Sequence, residues 1–132
     1  MEMRIEFPGG KRVDALLKGH RIATDQPEKS GGTDTAPAPF DLFLASIATC
    51  AGFYAHQFCH QRRLATDQLA VRMQVVRDQE RGRIGALRIE VDLPPDFPPK
   101  YRDAIQRAVD QCAVRRHILE PPSIDVVLSD AG

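Results

Sequence analysis

The residues of this chain best suited to chemistry are its three cysteines, Cys50, Cys59 and Cys112. Cys50 falls inside an apolar helical pattern among Ala45, Ala48, Thr49, Ala51 and Gly52, small residues that let another backbone or a second thiol approach closely. Cys112 ends a second pattern in which Tyr101, Ile105, Ala108 and Cys112 recur at spacings of four, three and four. Both cysteines thus lie on core-facing stripes, where a thiol is either a small hydrophobe or a sheltered reactive group. Packing alone accounts for a buried cysteine, because Cys is among the residue types most often fully buried. Arg115 and Arg116 follow Cys112. Positive charge near a helix end favours a neighbouring thiolate, unless both guanidinium groups are solvated.

Cys59 lies nine residues beyond Cys50. At about 100° per residue it projects from the opposite side of the same helix, ~13 Å further along, and cannot pair with Cys50 there. His56, Cys59 and His60 share a face at i, i+3 and i+4. That spacing could hold a metal, but a structural zinc site needs a fourth ligand, and the alternative is a polar helix end with half-exposed imidazoles. No metal site is assigned.

The elements that must position these residues follow from periodicity and turn chemistry. Residues 3–7, 12–17 and 20–24 read as three short strands punctuated by Gly9, Gly10 and Gly19, a small antiparallel sheet. Residues 25–37, with Pro27, Gly31, Gly32 and Pro37, are too broken for either period and form a loop, a candidate lid or site wall. Pro39 suits a first helical turn, and Asp41 places negative charge at the positive end of the helix dipole. No residue from Leu42 to Gln61 carries a formal charge with His neutral, and the apolar residues cover most of the circumference. This predicts a helix buried nearly all round. Ser46, Thr49, Gly52, His56, Gln57 and His60 interrupt the run, which favours a core helix over a membrane span of ~20 apolar residues.

Leu69, Val71, Met73 and Val75 alternate with Ala70, Arg72, Gln74 and Val76, as Leu87, Ile89, Val91 and Leu93 alternate with Arg88, Glu90 and Asp92. They predict a long antiparallel hairpin with one wet face, turning at residues 78–82. Pro94, Pro95, Pro98 and Pro99 end it and launch the second helix, and a last strand is expected at residues 123–128 after Pro121 and Pro122. The order βββ, α, ββ, α, β makes the fold class α+β.

The 132 residues, 42% apolar, suit one domain over 1–132. Lys plus Arg and Asp plus Glu number 18 each, so no net field draws in nucleic acid or an anionic membrane, and neither is expected as a partner. A chain with no net repulsion and a nearly uncharged helix is free to self-associate. The N-terminal residues lack the apolar run of a secretory signal, so a cytoplasmic location is expected. There a bridging cysteine pair is more often transient and redox-active than structural.

Residues 31–59, GGTDTAPAPFDLFLASIATCAGFYAHQFC, together with residues 110–122, DQCAVRRHILEPP, resemble the OsmC/Ohr family of osmotically inducible and organic hydroperoxide resistance proteins, in its OsmC-like branch. The Gly-Gly loop, the Pro-x-acid-Leu-x-x-Ala helix start, Cys50 and Cys112 carry the likeness. The resemblance implies antiparallel sheets around two helices and an intertwined homodimer with the cysteine helices at its centre. It also implies a thiol peroxidase of organic hydroperoxides, and sometimes of hydrogen peroxide, that works without metal, flavin or other cofactor.

Carried over, Cys50 would be the peroxidatic thiolate and Cys112 the resolving thiol, with an external dithiol as reductant. The family places an arginine just after an N-terminal Gly-Gly. Here Lys11 and Arg12 follow Gly9-Gly10, and Arg12 is the better candidate because a guanidinium can bond a thiolate and a carboxylate together. The orienting Glu of the hydroperoxide enzymes falls on Phe40; the acid here is Asp41, one residue later, which an ideal helix would point away from Cys50. The rival reading is a non-peroxidatic member that binds a small apolar or thiol ligand at the dimer interface.

Overall fold

The computed structural model describes residues 1–130, which fall into two compact units divided between Ser46 and Ile47. In the first, β1 (Arg4–Gly9), β2 (Arg12–Leu17) and β3 (His20–Thr24) form an antiparallel sheet in sequence order. Leu17 pairs with His20 across the two-residue turn Lys18-Gly19, whose φ angles are 51° and 79°. Two successive positive φ values match the right-handed twist of the flanking strands, which is why a glycine stands there.

Asp14 of β2 is buried and meets the guanidinium groups of Arg12 at 3.4 Å and Arg21 at 3.1 Å, and Arg21 reaches back to Glu6 of β1 at 3.0 Å. Charge pairing across three strands thereby fixes this small sheet, which has little apolar core of its own.

The loop from residue 25 to residue 37 is built around one carboxylate. Asp25 is 1% exposed and accepts hydrogen bonds from the Gln26 N–H (2.7 Å), the Thr33 hydroxyl (3.0 Å), and the Thr35 N–H (3.0 Å) and hydroxyl (2.6 Å). The Thr35 hydroxyl and N–H, then the Gln26 N–H, hold the Asp25 carboxyl well below the usual carboxylate range against the opposing effect of burial, and Thr33 adds to them. The Asp25 N–H also donates to the Pro37 carbonyl at 3.1 Å, closing the loop just before α1 (Pro39–Gln61).

In the second unit, β4 (Ala70–Asp78) and β5 (Arg83–Asp92) pair over their whole length, with a bulge at Val76 and Arg77. Arg72 bonds Asp92 at 2.7 Å and Glu90 at 2.8 Å, and Arg88 bonds Glu90 at 3.2 Å, which is the wet face the alternation predicts. The opposite face packs with α1 and with α2 (Arg102–Asp110), where Ala55, Phe58, Cys59, Phe97 and Ile105 form the buried core.

Three sequence expectations change. First, α1 is not buried nearly all round. Ile47, Ala51, Ala55, Phe58 and Cys59 are buried, while Phe40, Phe43 and Phe53 are exposed, Phe53 at 60%. A single chain this small supplies packing for only one stripe of so apolar a helix. Second, the second helix does not run on to Cys112. It ends at Asp110, and a separate α3 (Ala113–Leu119) follows, with Cys112 as its extended N-cap at φ −50°, ψ 126°. Third, residues 123–128 form no strand. Ile124, Val126, Val127 and Leu128 are 84–98% exposed, because a strand needs a ladder partner and the described residues of this chain do not supply one.

Candidate thiol site

Cys50 occupies the middle of α1 and is half-buried; Cys112, at the break between α2 and α3, is 2% exposed. The break brings the two side chains together. The Cys112 thiol hydrogen-bonds the Cys50 sulfur, and the backbone N–H groups of Val114 and Ala113 donate to that sulfur as well. The first N–H groups of any helix have no partner within it, and Cys112 makes no side-chain cap, so the sulfur of a neighbouring helix takes that place.

The two thiols are pushed in opposite directions. Burial raises Cys50, but the hydrogen bonds from Cys112, Val114 and Ala113 outweigh it and leave Cys50 below the ordinary thiol range. Cys112 is raised by burial, by its hydrogen bond to Cys50 and by the negative charge there, with the N–H groups of Arg115 and Val114 opposing. Cys50 is therefore the more acidic of the two thiols. This asymmetry is what nucleophilic attack followed by disulfide closure requires.

A cavity of about 430 Å³ lies beside the pair within the C-terminal unit. Leu87, Ile89 and Val91 of β5, with Leu93 just beyond its end, make one wall; Ile105 and Val109 of α2 and Ile47 of α1 complete the apolar lining, and Cys112 lies in its surface. Arg102 and Arg115 bring positive charge to it, and Asp103 and Asp110 negative charge.

The remaining sequence candidates are distributed as follows. Arg12 lies on β2 in the N-terminal unit, paired with Asp14, and its buried Nε has no hydrogen-bond partner. Lys11 is exposed, its aliphatic stem over Gly31. Asp41 accepts the Ala38 N–H at 3.1 Å, so its observed role is to cap the start of α1. Phe40 stacks on Phe43 with ring centroids 5.4 Å apart. Arg115 reaches the Asp110 carbonyl at 3.4 Å, and the donors on Cys50 are a thiol and peptide groups rather than the arginines that follow Cys112.

Cys59 is buried in the core and raised by burial, with Arg62 opposing, whereas His56 and His60 are exposed and stacked 6.1 Å apart. The face shared by His56, Cys59 and His60 is therefore split between core and solvent. Among the described residues no group of three or more His, Cys, Asp or Glu is placed to hold a metal ion. The donors that sequence reasoning missed are the N–H groups of Ala113 and Val114, which no side chain announces.

A three-stranded and a two-stranded antiparallel sheet with three helices, and a cysteine in mid-helix hydrogen-bonded to a second cysteine at a helix start, define a class of small α+β dithiol proteins. Residues 32–127 match the family described as OsmC-like protein, and the chain belongs to that family. Its fold is similar to that of an osmotic stress induced and detoxification response protein from Psychrobacter arcticus, with TM-score 0.70 and 19% identity over 86% of this chain and 85% of that one. It is similar to an OsmC-like protein from Mycoplasma pneumoniae, with TM-score 0.68 and 11% identity over 91% and 87% of the two chains. It also resembles an organic hydroperoxide resistance protein OsmC from Legionella pneumophila, with TM-score 0.52 and 13% identity over 89% and 87%. No curated protein matches the chain.

Proposed function

We propose that this chain is a cysteine-based peroxidase that reduces organic hydroperoxides, and hydrogen peroxide where the site admits it, in oxidative stress defence. The observation that carries this reading is the hydrogen-bonded pair of thiols with opposite shifts, Cys50 lowered and Cys112 raised. The Cys50 thiolate attacks the terminal peroxide oxygen, the O–O bond breaks, and the alcohol leaves with a proton as Cys50 becomes a sulfenic acid. Cys112 then attacks that sulfur, water departs, and a Cys50–Cys112 disulfide forms. An external dithiol reduces it, taking on a disulfide of its own. The name of the Legionella pneumophila protein supports a hydroperoxide as oxidant.

In this reading Arg12 is the cation that stabilises the reacting oxygens, and Asp41 is a candidate for the carboxylate that orients it. Asp14, already bonded to Arg12 at 3.4 Å, can serve in its stead. The chain acts as one functional domain in the cytoplasm, as a homodimer whose interface covers the exposed aromatic residues of α1.

Cumene hydroperoxide is consumed with dithiothreitol as reductant, and Cys50→Ser abolishes turnover; undiminished consumption by that variant would refute the mechanism. Phe40, an aromatic ring at the position of the family's glutamate, favours a second reading in which a small apolar or thiol ligand is bound without turnover. Hydroperoxide that is bound but never reduced would establish it.

A further inference from the structure

We propose that the cavity in the C-terminal unit is the approach by which the reducing thiol reaches the disulfide, and that the sulfur it attacks is Cys112. The proposal rests on the redox cycle of the two cysteines described above and fixes which of them the reductant touches. Cys112 lies in the cavity surface beside Val109 and Arg115, whereas Cys50 is not part of the lining. Cys50 is nevertheless the more exposed of the two across the rest of its surface. Cys50 is thus open at the helix surface, while Cys112, 2% exposed, borders the cavity.

Substitution at sulfur proceeds in line, with the attacking thiolate, the attacked sulfur and the leaving sulfur close to one axis. Cys112 is bonded to Cys50 and lines the cavity, so attack on Cys112 from the cavity would expel Cys50. Arg102 and Arg115 offer positive charge to an incoming thiolate, with Asp103 and Asp110 of the same lining opposing them, and the β5 side chains give the cavity an apolar wall. The leaving side agrees with this order, because the thiol with the lower pKa departs faster and that thiol is Cys50.

A thiolate of the dithiol forms a bond to the Cys112 sulfur while the Cys50–Cys112 bond breaks, and Cys50 leaves as a thiolate held by the N–H groups of Ala113 and Val114. The second thiol of the reductant then attacks the reductant's own sulfur in the mixed disulfide. Cys112 is released and takes the proton, and two electrons have passed from the dithiol to the protein.

The test uses the oxidised full chain, prepared with diamide, which joins two neighbouring thiols whether or not the protein reduces peroxides. Brief exposure to the monothiol 2-mercaptoethanol, an acid quench, N-ethylmaleimide labelling and peptide mass spectrometry then locate the adduct. The expected result is mercaptoethanol on Cys112 and maleimide on Cys50, in about tenfold excess over the reverse. Mercaptoethanol on Cys50, an even split, or failure of diamide to join the two residues would overturn the proposal. A Cys112 adduct in a protein that leaves cumene hydroperoxide untouched would instead refute the peroxidase reading alone.

Discussion

Replacing Cys112 by Ala removes one of the three hydrogen bonds that lower Cys50, and the consequence can be worked through to a rate. A hydrogen bond to a charged group contributes about 1.5–3 kcal/mol. The S–H group is a weak donor, so ~1 kcal/mol is the appropriate scale. At 1.36 kcal/mol per factor of ten this moves the Cys50 pKa upward and cuts the thiolate fraction below the pKa about fivefold. The N–H groups of Val114 and Ala113 remain, so the shift is partial. Cys112→Ser keeps a donor at the same place and should leave Cys50 close to its native state.

The assay is iodoacetamide alkylation of Cys50 followed by peptide mass spectrometry across a pH series, which separates Cys50 from the buried Cys59. Alkylation follows the thiolate, so the native rate rises at a lower pH than for a free cysteine near 8.5. The Ala variant's curve should move to higher pH and the Ser variant's should not. Coincident curves for Ala and native protein would show that Cys112 contributes nothing to the charge on Cys50, and the reasoning would fail.

Further predictions concern the frame that holds the site. A Cβ at Gly32 would stand 2.0 Å from the Gln26 carbonyl oxygen and 2.9 Å from the Asp25 carboxylate, and the backbone there has no room to yield. Gly32→Ala should therefore lower stability by about 1–3 kcal/mol in urea denaturation, and an unchanged midpoint would contradict the packing described. Asp25→Asn should lower the melting temperature at neutral pH. Because the folded carboxyl titrates below its unfolded value near 3.9, its contribution is full above that value and is lost as pH falls through the folded one. The gap between native and variant should thus close in strong acid, and a gap that widens there would reverse the sign. Phe53→Glu places a charge on the exposed apolar face of α1 and should shift sedimentation from dimer to monomer; an unaltered dimer would move the interface elsewhere.

The strands and α1 were legible because their signals are local. Alternation at Val71, Met73, Leu87 and Ile89 and the positive-φ turn at Gly19 act within a few residues, and Pro39 fits the first helical turn where α1 begins. The break after Asp110 was not legible. No proline or glycine marks it, and the apolar spacing through Cys112 reads as one uninterrupted helix. The strand expected at residues 123–128 failed for a related reason, since Ile124, Val126 and Leu128 carry the alternation but a ladder needs a second strand that sequence pattern cannot place.

At the site, the cysteines could be picked out by residue type and neighbours, and the family resemblance singled out Cys50 and Cys112. The donors on Cys50 include peptide N–H groups, which every residue but proline has and which therefore leave no mark in composition. The loop before α1 was legible as a loop, but not as one closed around a buried Asp25, because Thr33 and Thr35 find that carboxylate only once the chain has turned.

The central claim is that peroxide drives Cys50 and Cys112 into one bond. Peptide mapping after addition of one equivalent of cumene hydroperoxide to the reduced protein tests it most directly. A cross-linked pair of peptides carrying Cys50 and Cys112, two hydrogens lighter than the separate thiols, is the result predicted. Cys50 oxidised to sulfinic acid with Cys112 still free, or both thiols untouched, would contradict it.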